Sequence, residues 1–168
     1  MGSAIRTNRS GRILEGMKRE PKITTQATGY FGERRVVEDC PCPHCKRSHT
    51  LVRLPPKFKC ADVVCDFCGY LAQVKTAHVA DIETVPKIVL GAAWKPLKER
   101  MDAGIYFPMF LVLIAGPRSY SIFYLSADLQ QPKMFQPRKP LSATARRPGW
   151  RGFLYNLEAV RGHFVRIR

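Results

Sequence analysis

The longest uninterrupted apolar run in the chain is FPMFLVLIAG, Phe107 to Gly116, and after a short turn at Pro117–Ser119 a second run follows, SYSIFYL. Runs with no polar alternation predict two adjacent strands covered on both faces, because a strand with one wet face would read apolar, polar, apolar. Upstream, KFKCADVV (57–64) and GYLAQVKTA (69–77) predict two shorter strands with a chain reversal between them. GAAWKPLKERMDAG (91–104) predicts a helix: Pro96 is tolerated in a first turn, Leu97 and Met101 stand four apart on one face, and Gly104 supplies a stop. From Gln130 to Gly152 the periodicity disappears into prolines and cations, which predicts a loop.

At 168 residues, 45% of them hydrophobic, the chain suffices for one domain with a real core and is too short for two ordinary ones. The expected division is a basic arm at 1–22 and a single domain at 23–168. Its longest apolar run is about half the roughly 20 residues that a bilayer requires, and the first residues lack the apolar stretch of a secretory signal. A membrane is therefore not expected as a partner, and cytoplasmic placement is. Lys and Arg number 28 against 13 Asp and Glu, a formal charge of +15. A field of that sign attracts polyanions, so nucleic acid is the expected partner; a solubility charge or a partner with an acidic face is the alternative.

Six cysteines are present, and four of them form CPHC (Cys42, Cys45) and CDFC (Cys65, Cys68), separated by 19 residues. Each Cys-x-x-Cys turn places two sulfurs on one tetrahedral ion while the residues between fold back as a hairpin, so this spacing predicts a four-thiolate Zn2+ site. Four thiolates leave no open position, which makes the zinc structural. A disulfide framework would suit a secreted chain, and nothing here marks one. Cys40 and Cys60 are left over as small buried or free thiols, and His44, His49 and His163 need no metal role.

Around the second pair lie Asp62, Gln73 and Lys75. Residues two apart on a strand share a face, so Gln73 and Lys75 emerge together, and Asp62 lies on the arm leading into the turn. Asp, ten residues, then Gln-x-Lys is a variant of the D…(D/E)-x-K triad of phosphodiester hydrolysis. In that chemistry an Asp carboxylate and a second oxygen hold Mg2+, and a Lys assists the attacking water. An amide at the second position coordinates without charge, so metal affinity falls. The plain alternative is three ordinary polar residues on a strand.

RKPLSATARRPGWRGF (138–153) resembles the C-terminal part of the catalytic domain of the DpnI family of restriction endonucleases, also called Dam-replacing proteins. Further features of that family fall in the same order here: CPHC, ADVVCDFC (61–68), QVK (73–75), GAAWKPLKERMDAG and SIFYL (121–125). The resemblance runs from about Thr25 to the C-terminus. It implies an α/β fold with a restriction-endonuclease-like PD-(D/E)XK core and a built-in structural zinc, with Asp62 in the Asp position and Lys75 in the Lys position. Gln73 stands in the Glu position, as in Gln-x-Lys variants of the Mrr-like restriction enzymes. The implied activity is that of a type II methyl-directed endonuclease, magnesium-dependent, acting in a bacterial or archaeal cell on double-stranded DNA with N6-methyladenine in GATC, with no small-molecule substrate. No counterpart of the family's C-terminal winged helix is expected within these residues. A non-catalytic or non-specific DNA-binding zinc protein with a weakened nuclease site is the alternative.

Arg138, Lys139, Arg146, Arg147 and Arg151 in the predicted loop are the expected contacts to DNA phosphates, and Trp150 either stacks on a base or packs beneath the loop. Lys95, Lys98 and Arg100 reach phosphates or form a solvated helix face. The family has a helix and a strand where ITTQATGYFGERRVVEDC (23–40) lies, and Glu33 there either joins the metal site or pairs with an arginine.

Overall fold

The computed structural model describes residues 24–56, 58, 61–116 and 118–168. The basic arm at 1–22, Cys60 with most of the KFKC stretch, and Pro117 lie outside the described residues. The order is helix α1 (Thr25–Asp39), strands β1 (Leu51–Arg53), β2 (Val63–Cys65), β3 (Leu71–His78) and β4 (Ile88–Ala93), helix α2 (Trp94–Asp102), then β5 (Met109–Gly116), β6 (Ser119–Leu125), β7 (Phe135–Pro137), β8 (Gly152–Asn156) and β9 (Val165–Arg166). Six strands form one mixed sheet in the order β1-β2-β3-β5-β6-β9, and three form a smaller sheet, β4-β8-β7. Within the large sheet β3 and β5 run parallel, Gln73 opposite Met109 through His78 opposite Ile114, and the other pairs are antiparallel. A parallel pair needs a crossover, and β4 with α2 supplies it. No helix among the described residues is long and apolar enough to cross a membrane.

The two continuous apolar runs form β5 and β6 as expected, because their sheet is covered on both sides. On one face Val36 of α1, Cys40, Cys42, Val74, Phe110, Val112 and Ile122 make a core. On the other, Leu97 of α2, Val89, Leu111, Leu113, Phe123, Phe135, Phe153 and Tyr155 make a second. Residues 72 and 74 of β3 face the first core, so Gln73 and Lys75 face the second side, where the small sheet docks.

Three expectations from sequence are corrected. The segment after Ile23 forms helix α1 throughout, with no strand. Thr24 Oγ1 caps it by accepting from Ala27 N at 3.2 Å, and Gly32 and Val36, four apart, bury one face. Next, among the described residues of the expected strand at 57–64, ladder pairing begins at Val63, opposite Arg53. Pro55 and Pro56 offer no N–H to a ladder there, and Phe58 N turns back to Pro55 O instead. Finally, α2 begins at Trp94 rather than Gly91, because Ile88 to Ala93 pair with β8 and tertiary pairing overrides local helix preference. Within the expected loop at 130–152, β7 is a short strand and residues 138–151 remain irregular.

Two glycines of α1 give opposite expectations. A Cβ on Gly32 would collide with the Thr76 side chain of β3, whereas one on Gly29 meets nothing within 4 Å. Gly32→Ala is expected to cost about 1–2 kcal/mol, overpacking outweighing the gain in helix propensity, and Gly29→Ala to gain up to about 1 kcal/mol. Thermal melts of the two variants check this, with shifts of about 2–4 °C per kcal/mol in opposite directions.

Candidate functional site

The four cysteines come from two turns of the same construction. In the first, Lys46 N donates to Cys42 O and Cys42 N to Arg47 O; in the second, Gly69 N donates to Cys65 O and Cys65 N to Tyr70 O. The residue after each pair is left-handed, Lys46 at φ 63° and Gly69 at φ 74°. Even the flanking stacks are reciprocal: His44 lies on the Tyr70 ring, and the Arg47 guanidinium lies 3.6 Å over Phe67.

The turns bring Cys42 Sγ and Cys68 Sγ to 3.7 Å, Cys45 Sγ and Cys65 Sγ also to 3.7 Å, and all four sulfurs within 4.8 Å of one another. Zn–S bonds of about 2.3 Å in a tetrahedron set sulfurs about 3.8 Å apart. None of the five described cysteines is in a disulfide. Burial pushes the Cys42 thiol up to about 12. Burial also raises the Cys65 thiol, but the Thr50 hydroxyl and the N–H groups of Cys68 and Phe67 outweigh it and bring the group down to about 6. The cluster can hold a metal ion such as zinc. Cys40 is the buried thiol expected of it, at 3% exposure, and burial raises it to about 12.

Asp62 immediately precedes β2. Because Val63 stands opposite Ala72 in the β2–β3 ladder, Asp62 falls opposite Gln73 and shares its face. Asp62 N donates to Ala72 O at 3.0 Å, Leu54 N donates to Asp62 O at 2.9 Å, and Asp62 Oδ2 accepts from Val74 N at 2.7 Å. The Asp62 backbone is thus fixed from both sides, and its carboxylate is held through Oδ2 by Val74 N. Lys75 Nζ stands 3.9 Å from Asp62 Oδ2, both side chains partly buried. Gln73 Oε1 accepts from the Tyr155 hydroxyl at 3.2 Å.

These groups line a cleft of about 230 Å3 between the two sheets, with Phe58, Ala61, Ala92, Ala93, Pro96, Arg100 and Phe153 completing its wall. The wall at Ala92 and Ala93 is the irregular end of β4, where the register with β8 shifts between Leu90 and Ala93. A second cavity adjoins, sharing Phe58, Ala61 and Asp62. Glu33 lines that second cavity and is paired with Arg53 at 2.8 Å, the ion-pair alternative of the two raised by the sequence.

Of the cations on α2, Arg100 lines the cleft, while Lys98 is paired with Asp102 at 2.7 Å on an exposed face. Arg138, Lys139, Arg146, Arg147 and Arg151 are all exposed on the β7–β8 loop, and none of the five lines the cleft. Their loop is anchored beside it, since Trp94 N donates to Arg151 O at 2.9 Å. Trp150 packs against Gly152 beneath the loop, with the Arg147 guanidinium 4.6 Å over its ring. Sequence reasoning missed Tyr155, because GFLYN carries no signal beyond that of a buried strand. A family model described as "DpnI: Dam-replacing family" matches residues 14–164. No curated protein matches the chain.

Proposed function

The chain belongs to the Dam-replacing family typified by DpnI, and from that premise we propose that it is a magnesium-dependent type II restriction endonuclease with a PD-(D/E)XK-type core, cutting double-stranded DNA at N6-methyladenine in GATC. The observation that carries this reading is the convergence of Asp62, Gln73 and Lys75 in one cleft of a protein with that family membership. Two oxygen donors, Asp62 Oδ1 and Gln73 Oε1, make a donor set suited to a hard divalent cation and poor for a soft one. When bound, Mg2+ would polarise the scissile phosphate and acidify a water. Asp62 and Gln73 hold the cation, and Lys75 orients the water and offsets charge on the phosphate. Arg100 in the cleft adds a cation where a phosphate would lie. The five exposed basic residues of the β7–β8 loop supply further phosphate contacts beside the cleft, and binding through them weakens steeply with salt. Zn2+ on Cys42, Cys45, Cys65 and Cys68 is structural, holding β2 where Asp62 meets β3. The organisation we propose is a basic arm at 1–22 ahead of the nuclease domain at 23–168.

One observation favours a second reading. Gln73 brings no charge, so a single carboxylate holds the cation, and a site weakened beyond use would leave a DNA-binding protein. Plasmid cleavage in magnesium buffer by wild type and by Gln73→Glu separates the two. Cleavage by wild type, with a lower magnesium requirement in Gln73→Glu, is the expected result. An inert wild type beside an active Gln73→Glu would establish the DNA-binding reading.

A further inference from the structure

The small sheet sends one polar group to the candidate metal site. Tyr155 on β8 is 2% exposed, and its ring is wedged between Phe135 and Phe153, at centroid separations of 5.4 and 4.9 Å. The only acceptor for its hydroxyl among the described residues is Gln73 Oε1, 3.2 Å away.

That contact matters because position 73 carries an amide. A carboxylate presents two equivalent oxygens, but an amide can be turned about, offering either an oxygen that ligates a cation or an N–H2 that repels one. Nothing intrinsic to glutamine selects between them. A buried phenol does select: were the amide turned about, Nε2 would donate to the phenol oxygen, and the phenol's own proton would lose its one acceptor among the described residues.

We infer that Tyr155 is a positioning residue that keeps the amide oxygen of Gln73, rather than its nitrogen, directed at a hard divalent cation beside Asp62. The inference rests on the metal-site reading given under Proposed function and adds to it a reason why a glutamine can serve in that place. It also ties the site to the docking of the small sheet, since Tyr155 enters the cleft from β8 whereas Asp62 and Gln73 belong to the large sheet.

The test is calorimetric binding of Mn2+, without DNA, to zinc-reconstituted wild type, Asp62→Asn, Tyr155→Phe, Gln73→Glu and the Gln73→Glu/Tyr155→Phe double variant, each checked for an unchanged fold by its melting curve. Tyr155→Phe keeps the ring and its packing. It is expected to weaken Mn2+ about tenfold, the usual scale for a group that orients a metal ligand. In the Gln73→Glu background, where there is no orientation to fix, the same change is expected to alter affinity less than about twofold. Weakening by Asp62→Asn with none by Tyr155→Phe would overturn the role of Tyr155 alone. Equal weakening in the Gln and Glu backgrounds would do the same, reducing Tyr155 to a general support of the cleft. No weakening by Asp62→Asn would overturn the metal site itself, and this inference with it.

Discussion

Asp62→Asn is expected to lower DNA cleavage at least ~10^3-fold, about 4 kcal/mol of barrier, while leaving the fold and DNA binding in place. Asn is the informative replacement because its side-chain oxygen can still accept from Val74 N, the bond that fixes Asp62 where β2 meets β3. Only the charge is lost. Asp62→Ala would also leave the Val74 N–H without that acceptor, adding about 1–3 kcal/mol of instability and confusing structure with chemistry. With one carboxylate in the donor set, no second acidic ligand compensates, so the loss falls entirely on Asp62. Cleavage of a plasmid and gel-shift binding, measured together, check the prediction. Binding should hold or tighten slightly, since a negative charge has left a basic cleft. Retained cleavage would mean that the hydrolytic site lies elsewhere.

Cys65→Ser is expected to cost at least about 4 kcal/mol of stability, a large share of the roughly 5–15 that hold a domain, because metal binding at such a site is folding free energy. The position explains why the damage should spread. Cys65 is the last residue of β2, paired with Leu51, and it is three residues beyond Asp62 on the same short segment. Of the residues in β2, three pair with β1 and only two with β3, so cross-linking by a metal on the four cysteines would carry much of the load that ladder hydrogen bonds carry in longer strands. Cleavage should therefore fall together with stability. A zinc chelator applied to wild type should reproduce the melting curve of the variant and leave the variant itself unchanged. A Cys65→Ser protein that melts like wild type, with or without chelator, would remove the structural role of the ion.

What could be read in the sequence divides by range. The cysteine turns were legible because the chemistry of each lies within four residues, and so was the common face of Gln73 and Lys75, which needs only the strand period of two. The apolar runs at 107–125 announced β5 and β6 for the same reason. Asp62 was legible as a residue near the turn, but its place opposite Gln73 depends on the β2–β3 register, which hydrophobic pattern alone does not set in so short a strand. The small sheet was not legible. It pairs Ile88 with Asn156, 68 residues further along the chain, and that pairing converted Gly91–Ala93 from expected helix into strand. Tyr155 was hidden with it, since a tyrosine in a buried strand is ordinary until the partner of its hydroxyl is known. The β7–β8 loop was legible as basic and exposed, while its anchorage beside the cleft through Trp94 and Arg151 was not.

The most direct test of the proposed activity is cleavage of two plasmids in magnesium buffer, one carrying N6-methyladenine at GATC and one without it, with Asp62→Asn protein alongside. Cutting of the methylated plasmid alone, absent with Asp62→Asn, is the expected result. Equal cutting of both plasmids, or cutting of either that survives Asp62→Asn, would contradict it.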